Sequence, residues 1–136
     1  MNIKRLENNF EIDFLILGIN SHIKSYKLCW EINNKLHTRF VKNKNHPHPN
    51  NPKLNFERFT HIDEGTESQY NILSNRSPSG YLEESNKSVN YFMVVQGGIY
   101  SKKIIIESLN QIEDVLLVFE LNLSNIKSIT PFILND

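Results

Sequence analysis

The chain of 136 residues carries 15 Lys plus Arg against 15 Asp plus Glu, a formal net charge of zero. A dedicated nucleic-acid binder normally holds a basic excess to displace counterions, so that class is disfavoured, although a local basic patch fits within a neutral total. The hydrophobic fraction is 39%, with eight Phe, five Tyr, one Trp and no alanine, and the single cysteine excludes an internal disulfide framework and a cysteine-rich zinc site.

One domain spanning residues 1–136 is expected, and a chain of this size buries roughly 65–70% of its unfolded surface, so one real core should form. FEIDFLILGI, residues 10 to 19, alternates at first and then turns apolar on both faces, as a strand does when it runs into a covered interior. It is too short to span a bilayer, which takes about 20 apolar residues, and acids precede it, so it makes a poor signal peptide. A soluble cytoplasmic protein is the expectation.

Ser21 is a suitable N-cap for a helix through about Leu36. That helix would place Ile23, Tyr26, Cys29, Trp30 and Leu36 on one apolar sector, with Lys24, Lys27, Glu31 and Asn34 largely outside it. Residues 37 to 42 read as a short strand. The following NKNHPHPNNPK has three prolines in six residues and no periodicity, so residues 43–54 read as an irregular loop. NFERFTHID and SQYNILSN read as strands facing each other across the polar turn around DEGTE. Residues 75–88 form a second irregular stretch.

VNYFMVVQ, residues 89 to 96, is apolar on both faces and reads as a central strand ended by Gly97 and Gly98. Ser101 can cap a helix through about Asp114, with Ile105, Leu109 and Ile112 as its buried stripe. LLVFELNL alternates as a last strand, with Leu117, Phe119, Leu121 and Leu123 on one face. The order predicts an α+β fold: a mixed or antiparallel sheet of about five to six strands with two helices packed on one face, of which a ferredoxin-like sandwich is one form.

The chemical candidates are weak. His22 and Cys29 stand seven positions apart, which on a helix separates them by roughly 10 Å of rise. A nucleophile and its base need about 2.6–3.2 Å, so Cys29 reads as a small buried hydrophobe. Tyr26 and Trp30 can stack at i and i+4, as a core pair or as a pocket wall. His46 and His48 resemble metal ligands in type, but a zinc site needs three or four, and Pro47 makes the two diverge. Asp63, Glu64 and Glu67 could act as paired carboxylates but read as a solvated hairpin tip. Gly97 and Gly98 precede a helix without the spacing of a phosphate loop. No catalytic residue, metal or cofactor is called for on these grounds.

LILGINSHIKSYKLCWEINNKL, through Leu17, Gly18, Ile19, Ser21, Tyr26, Leu28, Trp30 and Asn33, resembles the N-terminal signature of the IPExxxVDY family of small Bacteroidota proteins. RFTHIDE with YNILSN, and IKSITPFIL, resemble that family's middle strands and tail. In YLEESNKSVNYF the naming motif is altered: Glu83, Glu84 and Ser85 stand where Ile, Pro and Glu are usual, and Asn90 replaces Asp, while Val89 and Tyr91 are kept. The resemblance implies a lineage and a fold, and carries no activity over.

Three functions follow as expectations. The first is a non-enzymatic interaction domain that binds a protein partner or forms a homodimer through an exposed sheet edge or aromatic patch. The second is a small-molecule-binding or enzymatic domain with a pocket beside the first helix, using Ser21, His22, Tyr26, Trp30 and Asn33. The third, less favoured, is RNA association through Arg39, Arg58, Phe40, Phe56 and Phe59 on a sheet surface.

Overall fold

The structure, a computed structural model, describes residues 14–98, 100–122, 124 and 128–134. Strand β1 (Phe14–Asn20) leads to helix α1 (Ser25–Leu36), then β2 (Val41–His48), β3 (Asn51–Asp63) and β4 (Ser68–Ser74). Two-residue strands β5 (Arg76–Ser77) and β6 (Gly80–Tyr81) follow, then β7 (Tyr91–Gln96), α2 (Lys102–Asn110) and β8 (Leu117–Glu120). Short 3-10 turns occupy Glu84–Asn86 and Thr130–Phe132.

Six strands form one sheet in the order β2-β3-β4-β7-β1-β8, and every neighbouring pair is antiparallel. β1 lies between β7 and β8, which α2 joins; β7 in turn lies between β1 and β4, which α1 and the β2–β3 hairpin join. These are two interlocked split β-α-β units, the ferredoxin-like order β8-β1-β7-β4, widened by an added hairpin at one edge.

Both helices pack on the same face. Leu28, Cys29 and Ile32 of α1 and Ile105 and Leu109 of α2 meet Leu15, Leu17 and Ile19 of β1 and Met93 and Val95 of β7. The alternate residues Ile16, Phe92 and Val94 point the other way, into a second cluster with Leu82, Val89, Leu121, Phe132 and Leu134. β1 and β7 read as apolar on both faces because both faces are covered, one by helices and the other by irregular chain.

Three expectations are corrected. Residues 43–54 are a hairpin of β2 and β3 and not a loop: β2 is an edge strand, where a proline costs no ladder bond, and register breaks between Asn43 and His46 and between Pro47 and His48 absorb the rest. α1 begins at Ser25, with Lys24 at its N-cap and no side-chain cap. Ser21 turns back instead, its Oγ donating to the Asp114 carbonyl at 2.7 Å. The buried stripe is therefore Ser25, Leu28, Cys29 and Ile32, and Tyr26 and Trp30 are 67% and 61% exposed. At 3.6 residues per turn they sit about 100° and 140° round from Ser25, outside the sector predicted for them.

Other expectations hold. Ser101 caps α2, accepting from Ile104 N at 3.3 Å, though the helix ends at Asn110 before the buried Ile112. Gly97 and Gly98 end β7 with φ of 70° and 65°; a Cβ on Gly98 would stand 2.1 Å from the Thr66 carbonyl oxygen, so only glycine lets this turn close on the β3–β4 turn. Phe119 and Leu121 join the second cluster as predicted, while Leu117 is half-exposed. Residues 10 to 13 of the first predicted strand, and Leu123, lie outside the described residues.

The stretch 75–88 is short of regular structure but not of hydrogen bonds. Asn75 is fully buried; its Nδ2 donates to the carbonyls of Asn86 (2.9 Å) and Val89 (2.8 Å), and its Oδ1 accepts from Glu83 N at 2.9 Å. Its backbone donates to Asn90 O and accepts from Leu82 N. Asn75→Ala should therefore cost roughly 2–4 kcal/mol in urea unfolding, since two buried backbone groups and one part-buried carbonyl lose their partner, whereas Asn45→Ala at the exposed edge should stay within about 0.5 kcal/mol. Equal costs at the two positions would contradict this assignment of roles.

Candidate functional site

The five residues predicted to share a pocket are divided by the structure. Ser21 and His22 lie in the β1–α1 connection and line a recess of about 260 Å³ with Arg76, Tyr81, Lys87 and Asn90. Asn90 Oδ1 accepts from Ser21 N at 2.8 Å, Asn90 N donates to the Ile19 carbonyl, and the Tyr91 hydroxyl donates to the Ile23 carbonyl at 2.6 Å. Ser21, Asn90 and Tyr91 thus fasten the start of α1 to β7. Tyr26 and Trp30 project from the solvent side of α1 and do not line the recess. Asn33 stands at the other end of the helix, where its Oδ1 accepts from Phe40 N (2.8 Å) and Thr38 Oγ1 (2.9 Å) and its Nδ2 donates to Phe40 O. It shapes the turn into β2.

Cys29 is buried, and burial, with the Glu57 carboxylate nearby, pushes its thiol up to about 12. It is protonated at neutral pH, which removes it as a nucleophile. Glu57 accepts from Ser25 Oγ at 2.7 Å, a carboxylate at the N-terminal end of α1 where the helix dipole favours it.

A larger recess, about 620 Å³, lies elsewhere, on the sheet face away from the helices. It is walled by Asn43, Lys44, Asn45 and His46 of β2, by Arg58 of β3 and by Thr130. Beneath it, Arg58 Nε (2.8 Å) and Thr60 Oγ1 (2.7 Å) both donate to Asn71 Oδ1, and Asn43 Nδ2 donates to Thr60 Oγ1 at 2.9 Å. His46 is 7% exposed, with Nε2 2.6 Å from the Pro131 carbonyl oxygen, which requires the Nε2–H form and ties β2 to the C-terminal turn.

Sequence reasoning misses this cleft. Its one sign is the row Phe56, Arg58, Thr60, three residues on one face of β3, where an arginine and a threonine continue an inward row begun by a phenylalanine.

The remaining candidates resolve into structure. His48 Nδ1 accepts from Asn50 N, so the two loop histidines serve different bonds, and among the described residues no group of three His, Cys, Asp or Glu comes together. Asp63 accepts from Thr66 N in the β3–β4 turn, which Glu67 closes with φ of 58°. Of the residues named for RNA association, Phe40, Phe56, Phe59 and Arg58 are buried, and Arg39 is exposed. Among the described residues no helix is long and apolar enough to cross a membrane. Comparison with protein-family models and with curated proteins found no match.

Burial holds the His46 pKa below its ordinary 6.5; the Pro131 carbonyl acts in the opposite sense, and the charges of Arg58 and His48 push it further down. His61 is lowered chiefly by burial too, with Asp63 opposing and Arg39 assisting. In each case the unfolded chain takes up the proton first, so their contribution to stability is intact above about pH 6.5 and is lost as pH falls through that value toward the folded pKa. The His46 ring should titrate below 6.5 by NMR, and His46→Gln should flatten the fall in unfolding midpoint between about pH 7 and 5. A His46 pKa at or above 6.5 would be incompatible with its buried, neutral role.

Proposed function

We propose that this protein is a non-enzymatic, cytoplasmic interaction domain that pairs with a second copy of itself through the outer face of α1. The observation that carries the reading is the exposure of Tyr26 and Trp30, 67% and 61%, side by side at i and i+4 on one helix. Tyrosine and tryptophan are the residues that most often anchor interfaces, because they bring large area at small entropic cost.

A second copy fits this face by charge. Lys24 and Lys27 stand in and before the first turns of α1, and Glu31 follows one turn later. Antiparallel pairing about residues 28 and 29 sets Tyr26 of one copy beside Trp30 of the other and Lys27 near Glu31, a two-fold, self-complementary arrangement. Four rings supply roughly 500 Å², about half of what a standing interface needs, so the association belongs in the micromolar range.

The sheet edges offer less. β2 carries Lys42, Lys44, Pro47 and two register breaks, all of which discourage strand addition, and β8 is four residues long, with Glu120 engaged by Lys102 at 2.9 Å. The buried, reduced thiol of Cys29 suits a reducing compartment. Membership of the IPExxxVDY family belongs to the same proposal. It is supported by the convergence of Ser21, Asn90 and Tyr91, distant in sequence, on one set of hydrogen bonds. Asn90 accepts there as the family's Asp would, without charge.

Trp30 is the only tryptophan, so its fluorescence reports on this surface alone. Light scattering should show mass rising toward a dimer with concentration, accompanied by a blue shift of Trp30 emission. Tyr26→Ala or Trp30→Ala should weaken association at least about tenfold, some 1.4 kcal/mol, with the circular dichroism unchanged. A monomer at every concentration, or a dimer indifferent to both substitutions, would refute the proposal.

A further inference from the structure

We propose that the recess between the β1–α1 connection and the irregular stretch 75–88 binds a small hydrophilic oxyanion, a phosphate or carboxylate group on a body of a few heavy atoms. The inference is independent of the α1 pairing, because neither Tyr26 nor Trp30 lines this recess.

The lining is rich in donors. His22, Arg76, Tyr81, Lys87 and Asn90 contribute to it, and no aspartate or glutamate does. Lys87 is already engaged, by Glu84 at 3.3 Å and by the Tyr81 ring, whose centroid lies 5.5 Å from its Nζ. The Arg76 guanidinium, in contrast, makes no hydrogen bond or ion pair among the described residues, so it is the cation that an incoming anion meets. Its planar fork offers parallel N–H donors, the geometry that phosphate and carboxylate oxygens accept in pairs. Asn90 Oδ1 accepts from Ser21 N at 2.8 Å, which fixes the plane of the amide and leaves the Nδ2 hydrogens without an acceptor among the described residues.

A single buried side chain assembles these groups. Asn75, which directly precedes Arg76, donates through Nδ2 to the carbonyls of Asn86 and Val89, the residues that directly precede Lys87 and Asn90. The backbone beside all three lining positions is therefore pinned to one fully buried amide, and the β5–β6 pairing of Arg76 with Tyr81 places the tyrosine. A ligand meeting this set orders the outer part of an arginine side chain and costs no backbone freedom. The recess holds about 260 Å³, just below the roughly 300–1,000 Å³ of sites for drug-sized molecules, so its ligand is small. Ile23 and Val89 are the only aliphatic residues in the lining, so little of that ligand is apolar.

The test is an NMR titration of the full chain with glycerol phosphate, with glycerate as the carboxylate probe and glycerol as the uncharged body. Saturable shifts confined to the amides of residues 21–23, 74–81 and 87–91 are expected with one or both anions, and the tighter of the two identifies the anionic group. Arg76→Gln and Asn90→Asp should each weaken that binding at least about tenfold, the second while still accepting from Ser21 N. Lys44→Gln, which makes the same change in net charge on β2 outside the recess, should leave binding unchanged. Glycerol should give no saturable shift. The proposal falls if neither anion saturates at millimolar concentration, if glycerol binds as well as the anions, if folded Arg76→Gln binds undiminished, or if Lys44→Gln weakens binding as much as Arg76→Gln does.

Discussion

Everything in this fold answers to the fact that β1 and β7 are apolar on both faces. Leu15, Leu17, Ile19, Met93 and Val95 on one side and Ile16, Phe92 and Val94 on the other are each at most 4% exposed, so two separate covers are required. Each fully buried side chain of this size contributes about 1.5–3 kcal/mol, far more than any single hydrogen bond returns. Two helices meet the first requirement. The second is met by Leu82, Val89, Phe132 and Leu134, none of which belongs to a sheet strand or an α-helix. Irregular chain makes a stable cover only if its backbone groups find partners, and that is the service Asn75 and the His46–Pro131 bond perform.

The same division sets how far the sequence can be read. The two central strands are legible because a short, continuous apolar run bounded by glycine or polar residues fits a strand covered on both faces and little else. α2 is legible through the Ser101 cap and the spacing of Ile105 and Leu109. The rotation of α1 is not, because its aromatic residues read as core formers, whereas Leu28 and Ile32, on the neighbouring side, are the fully buried ones. Tyr26 and Trp30 carry enough apolar area to pass for core in any pattern based on hydrophobicity alone. The β2–β3 hairpin is hidden by prolines whose cost depends on whether a strand lies at an edge, and strand order is a property of the whole sheet. The cleft is hidden for a related reason: it joins Asn43–His46 to Thr130, across more than half the chain.

The segment that resembles a naming motif also takes on a physical meaning. Val89 fills the second cluster, Asn90 binds Ser21 and Ile19, and Tyr91 reaches Ile23. Burial, with Glu57 and Cys29 nearby acting in the same direction, pushes the Tyr91 hydroxyl up to about 12, so it stays a donor at any physiological pH. These groups set the angle at which α1 leaves β1, and so they decide which residues of α1 face outward. These residues act as fold determinants, holding the start of α1 against β7.

The neutral total charge is made up of acids on both faces of the sheet. Glu31 and Glu57 lie on the helix side and Asp63, Glu64 and Glu67 at the β3–β4 turn, while Glu83 and Glu84 lie on the opposite face, beside Thr130 and Pro131. Beyond about 8 Å at physiological ionic strength exposed charges are largely screened, so the local set governs what each surface attracts, whatever the sum. The aromatic face of α1 and the recess between β2 and the Thr130–Phe132 turn are separate in position and in lining. One presents apolar area flanked by Lys27 and Glu31, and the other lies over a hydrogen-bonded floor in which Asn43, Arg58, Thr60 and Asn71 hold one another.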